Sequence, residues 1–162
     1  MTCGDTPMST NLAKLKEKVE RYLKEVVDRY EVVMDSYRVR YGSTVVSIEP
    51  EVWNEEKDTT ILRLIAVVLV GVKRTGNEKM FEELSQLNDT YRFGKFYWTP
   101  TDDNEDEGII FVEQQMLGEF VDFEEFKQVL ISLAFAADEV DDQLQARYGG
   151  ERWVDCEKNE SQ

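Results

Sequence analysis

Apolar positions recur along the chain at different periods, and each period names an element. Leu12, Leu15, Val19, Tyr22, Leu23, Val26 and Tyr30 advance mainly by threes and fours. That spacing predicts an amphipathic helix over about residues 11–29, capped by Thr10 or Asn11, with Lys14, Lys16, Glu17, Glu20, Lys24 and Glu25 on its solvated face. YRVRYGSTVVSIEPEVW (37–53) is dense in β-branched and aromatic residues around Gly42-Ser43 and reads as two strands joined at a tight turn. Pro50 brings no amide donor, so its strand should end or lie at an edge there. ILRLIAVVLVGVK (61–73) is almost continuously apolar, which suits a strand buried on both faces or, alternatively, a buried helix.

The second half repeats the alternation. Asn77 is placed to cap a short helix carrying Met80, Phe81, Leu84 and Leu87 and ending near Asn88. YRFGKFYW (91–98) and IIFVEQQM (109–116) read as strands. Asp122 and Glu125 form a capping pair that opens a long helix bearing Phe126, Val129, Leu130, Leu133, Ala137, Val140 and Leu144 on one face. Burying that face would contribute a gross ~10 kcal/mol or more. Gly149-Gly150 stops the helix, because glycine takes the left-handed conformation a helix end needs. The expected order is α-β-β-β-α-β-β-α in one α+β domain over residues 10–150, an antiparallel sheet packed by helices. Residues 1–9 read as a flexible N-terminus, with Met8 a candidate alternative start, and 151–162 as a polar tail in which Trp153 and Val154 can pack back.

Composition narrows the chemistry. The 162 residues carry 34 acids against 19 bases, a formal charge of −15. Such a field disfavours nucleic acid, whose binding depends on Lys and Arg displacing counterions, and disfavours anionic membrane too. The longest apolar run, LIAVVLVGV (64–72), falls far short of the ~20 residues a spanning helix needs. There is no histidine, which removes the usual general base and the commonest transition-metal ligand. Cys3 and Cys156, near the two ends, read as reduced thiols of a cytoplasmic protein rather than a disulfide framework or metal cluster.

Three motifs resemble known sites, and each weakens on inspection. DNEDEGIIFVEQ (103–114) has the acids and glycine of an EF-hand loop, but position twelve is Gln114 and the flanks read as strands, not helices. The acids Asp102, Asp103, Glu105, Asp106 and Glu107 are expected at a solvated hairpin tip, with loose cation attraction at most. GVKRTGNE (71–78) has phosphate-loop glycine spacing, yet Asn77 and Glu78 replace the lysine and hydroxyl that chemistry requires. Asp138 shares a helix face with Asp142, and with Asp141, opposite the apolar stripe. Placed near a helix C-terminus, these acids call for a partner such as Arg147, Arg152 or another chain. No serine or cysteine has a plausible base. No catalytic residue, cofactor site or metal site is therefore assigned. Candidate partner-binding residues are Tyr91, Phe93, Phe96, Tyr97 and Trp98, with Asp138 and Asp142. Strand alternation sends Phe93, Lys95 and Tyr97 to one face and Phe96 and Trp98 to the other, so one set is core and the other an exposed patch.

These elements in this order resemble the type III secretion chaperone-like fold and, within it, the YbjN-domain family including its cyanobacterial branch. The residues that carry the likeness are Gly42-Ser43 leading into STVVSIEP, the QLN ending at Asn88, and Ala137-Asp138 with Asp141, Asp142, Leu144 and Tyr148-Gly149-Gly150. The resemblance implies an α+β interaction module, often a homodimer, that holds a protein partner on its sheet or helix surface. It brings no catalytic residues. The reading is a non-enzymatic chaperone-like or adaptor module that binds a protein or peptide; the alternative is a regulatory domain responsive to a small molecule or divalent cation.

Overall fold

In the computed structural model, which describes residues 9–161, the first amphipathic stripe becomes α1 (Thr10–Val26) and buries Leu15, Val19, Tyr22 and Leu23. Its cap is Ser9, whose hydroxyl accepts from the Leu12 amide, rather than Thr10 or Asn11. Asn11 is drawn aside to donate to the Asp58 carbonyl. A short strand, β1 (Glu31–Val33), precedes the predicted hairpin of β2 (Ser36–Tyr41) and β3 (Thr44–Asn54). β4 (Thr59–Lys73), α2 (Lys79–Thr90), β5 (Lys95–Thr101), β6 (Asn104–Leu117) and α3 (Phe123–Tyr148) follow, and a last helix, α4 (Trp153–Glu160), closes the chain. The expected α+β class holds, with β1 and α4 added. Cys3, Met8 and most of the N-terminal stretch lie outside the described residues.

The six strands form one sheet in the order β1-β2-β3-β4-β6-β5, antiparallel throughout. α1 and α3 pack on one face, where Val46, Ile48, Leu62, Leu64, Ala66, Ile110 and Val112 meet Leu15, Val19, Phe126, Leu133 and Leu144. α2 lies against β5. β4 is central, as its apolar run demands, but only its helix-facing set is covered along the full length. Arg63, Ile61 and Val67 stand half-buried on the other face, which corrects the expectation of burial on both sides. Pro50 pairs with Leu62 while the β2 register ends at Ile48, so its missing amide meets a locally free edge within an internal strand.

Two further caps differ from expectation. Asn77 does not cap α2, which begins behind Glu78; its side-chain amide donates instead to the Lys73 and Tyr148 carbonyls and ties α2 to the end of α3. The aromatic strand begins at Lys95 rather than residue 91, because the chain turns through Gly94 at φ +83°. Asp122 accepts from the Glu125 amide at the start of α3 as expected.

After α3 the chain crosses to the other side of the sheet. Glu151 exchanges two backbone hydrogen bonds of 2.8 Å with Val70, taking the place beside β4 that β3 does not reach. α4 then lies on the face opposite α1 and α3. Val154 donates to the Ser43 carbonyl, Arg38 sits 5.8 Å over the Trp153 ring, and Glu157 pairs with Arg40. Beneath it, Val45 and Ile65 are buried.

Candidate functional site

Among the described residues, no helix lies on the remainder of that second face, over β3, β4, β6 and β5. Directly paired residues of neighbouring strands share a face, so the register defines its rows. Glu51, Ile61 and Leu117 form one row, and Glu49, Arg63 and Gln115 the next. Ser47, Ile65, Glu113 and Lys95 follow, then Val67, Phe111 and Tyr97. Leu117, 53% exposed, marks the apolar end, and Trp53, 56% exposed, follows Glu51 at a bulge in β3.

Arg63 organises the centre. It meets Glu113 with two donors, Nε at 2.9 Å and Nη2 at 3.2 Å, and reaches Glu49 at 3.4 Å and Glu51 at 4.0 Å through Nη1. Glu113 also accepts from the Tyr97 hydroxyl and the Gln115 amide. Burial pushes the Glu113 carboxyl up, but these donors outweigh it and hold the group below its ordinary value. Burial and the hydrogen bond to Glu113 push the Tyr97 hydroxyl up to about 12. Tyr97 packs on Phe111 with ring centroids 5.7 Å apart, and a cleft of ≈ 330 Å³ opens among Lys95, Tyr97, Glu113 and Gln115. A larger groove of ≈ 1090 Å³ lies at the far edge, between the link Val27–Tyr30 and Arg38–Arg40.

The structure separates the sequence-predicted residues. Of the three aromatics within β5, Tyr97 alone stands on the open face. Phe96 is 3% exposed in the core, and Trp98 lies on the helix side, edge-on to Phe81, with its indole donating to the Val72 carbonyl at 3.0 Å. Tyr91 and Phe93 precede the strand; Tyr91 tilts against Phe96 and donates to Glu139. The acids on α3 also part. Asp138 accepts from the Ser43 amide and hydroxyl, both at 2.7 Å, whereas Asp142 pairs with Arg152 at 2.7 Å. Asp141 is 2% exposed, not on a solvated face, and shares the Ser43 hydroxyl; burial raises its carboxyl. Arg147 pairs with Glu83 instead. Sequence reasoning missed Arg63, Glu49, Glu113 and Phe111. The available signal was Arg63 itself, one charge inside an apolar run.

The acidic segment 102–107 is a hairpin turn running into β6, with strands on both sides where an EF-hand needs helices. Asp106 is used internally, accepting from the Thr75 amide at 2.8 Å and hydroxyl at 2.6 Å. Glu113 lies within β6 and faces Arg63.

An antiparallel sheet with helices on one face and a largely bare second face defines an α+β module whose free surface is a strand array. The chain belongs to the family described as T3SS (YopN, CesT) and YbjN peptide-binding chaperone 1, whose profile matches residues 13–156. The crystal structure of YbjN from E. coli has the same fold, with a TM-score of 0.55 over 78% of this chain and 91% of that one at 14% identity. No curated protein sequence matches the chain. Among the described residues, no helix is long and apolar enough to cross a membrane.

Proposed function

We propose that this protein is a non-enzymatic, cytoplasmic chaperone-like adaptor that binds an extended or helical peptide segment of a partner protein on the open sheet face. The observation that carries the reading is that bare face, where exposed Trp53 and Leu117 adjoin a half-buried charged centre at Arg63. Exposed aromatic and aliphatic residues beside fixed polar groups are what a peptide-binding surface offers. Family membership supports binding of a peptide. The non-enzymatic part is supported by the α3 carboxylates, since Asp138 and Asp141 are committed to the Ser43 turn and Asp142 to Arg152. A homodimer belongs to the reading, and light scattering on the purified chain tests that part by itself.

The test is selection from a random peptide library on the immobilised protein. The expected outcome is enrichment of a shared motif that binds saturably and loses affinity when Trp53→Ser and Leu117→Ser are combined. Both side chains are exposed, so the fold should persist. Failure to enrich any motif contradicts the reading.

A further inference from the structure

We infer that the uncovered part of the open face takes a basic amphipathic segment of its protein partner, seated there as α4 is seated on the covered part. The inference rests on the peptide-binding reading above and adds the chemical class of the peptide.

α4 shows how this face accepts a segment. Its corner of the sheet is basic, with Arg38 and Arg40 pointing from β2. The chain fills that corner with complementary groups, the Trp153 ring over Arg38 and the Glu157 carboxylate on Arg40. One aromatic anchor and one ion pair thus fix a short helix against the strands.

The uncovered part has the opposite balance. Glu49, Glu51 and Glu113 surround Arg63, with Lys95 paired beside Glu113 in register. Arg63 spends its bidentate fork on Glu113, and two other donors complete that carboxylate. Among the described residues, Glu49 is left with the Ser47 hydroxyl at 2.8 Å and one long contact to Arg63, and Glu51 only with Arg63 at 4.0 Å. Glu49 and Glu51 follow one another on the same side of β3, roughly 7 Å apart, and the exposed Trp53 comes next, where the strand bulges between Val52 and Asn54. The row therefore offers two under-used carboxylates beside an apolar anchor made by Ile61 and Leu117, which share the row of Glu51. A lysine or arginine near an aromatic or leucine side chain is the complement of that row.

The whole-chain charge of −15 attracts any cation at long range, so the test separates the face from the field. A labelled amphipathic peptide of Lys and Leu, and its counterpart with Glu for Lys, are titrated at physiological salt and followed by anisotropy. We expect saturable binding of the basic peptide alone. Combined Glu49→Gln and Glu51→Gln should weaken it by at least about five-fold, roughly 1 kcal/mol. Combined Asp102→Asn and Asp103→Asn, the same charge change at the hairpin tip, should leave it within about two-fold. Equal weakening by the two pairs overturns the inference and assigns the binding to the overall field. Failure of the basic peptide, while library selection yields ligands of another composition, overturns the basic class and leaves peptide binding standing; failure of both removes the two readings together.

Discussion

At the scale of residues, the most constrained point is the turn between β2 and β3. Gly42 sits at φ +54°, and a Cβ there would collide with the Asp138 carboxylate that receives the Ser43 amide. Ser43 has one hydroxyl hydrogen and two carboxylates to serve. One hydrogen cannot serve both carboxylates at once, so a protonated Asp141, able to donate to the Ser43 oxygen, would leave that hydrogen to Asp138. Burial raises the Asp141 carboxyl, with Asp142 adding to the rise, while Ser43 and Arg152 oppose it. A carboxyl raised in the folded state contributes stability fully below its unfolded value of 3.8 and loses it as pH rises through the folded value. Asp141→Asn, which copies the protonated acid, should therefore raise Tm by about 2–4 °C at pH 7, with the gain shrinking towards pH 4. A calorimetric scan showing a lower Tm at pH 7 would sink this account. Glu113 runs the other way. Its lowered carboxyl contributes stability above 4.5 and loses it as pH falls through the folded value. Glu113→Gln should cost about 1–2 kcal/mol at pH 7, and urea titrations should show the gap closing as pH falls below 4.5. The sequence set Gly42-Ser43 and Asp138 with Asp141 apart as notable residues, but only the packing of α3 against the hairpin brings them into one contact. The Arg63 cluster was still harder to see, because its carboxylates come from two other strands, and register decides which side chains meet.

At the scale of elements, periodicity served where a stripe was long. α1, α3, the β2–β3 hairpin and the β5–β6 hairpin stand where their patterns put them, with shifted ends. β1 spans only three residues, too few to display alternation, and α4 is a short polar helix fixed by Trp153 against Arg38 and by Glu157 on Arg40 rather than by an apolar stripe. Long-range pairings of that kind leave no local period. Edge protection is likewise a tertiary device. On β5, the outward amide and carbonyl of Phe96 are both taken by the Asn88 side chain, at 2.6 and 3.2 Å. Asn88 thus occupies the position a further strand would need. Asn88→Ala should lower stability by about 1–2 kcal/mol and leave those two groups to water. Hydrogen exchange reads this at one site: the Phe96 amide should lose protection by more than the global destabilisation explains. Equal loss at every amide would mean that Asn88 does not seal the edge.

At the scale of the whole molecule, one face of the sheet holds the core and the other holds what the chain can offer a partner. The helix-side layer accounts for folding, with α1 and α3 covering Leu62, Leu64, Ala66 and Leu69 of β4 and Ile110, Val112 and Met116 of β6. The opposite side is divided: α4 meets the basic corner, and the region around Arg63 is uncovered. Charge and missing histidine narrowed the function by exclusion, and the order of elements pointed to the fold, but the surface became visible only once strand order and register were known. The measurement that tests this most directly is NMR shift mapping with a library-selected peptide titrated into the labelled protein. The largest shifts should fall on Glu49, Glu51, Trp53, Arg63, Phe111, Glu113 and Leu117. Shifts confined to the outer surfaces of α1 and α3, with those strand residues unmoved, would contradict it.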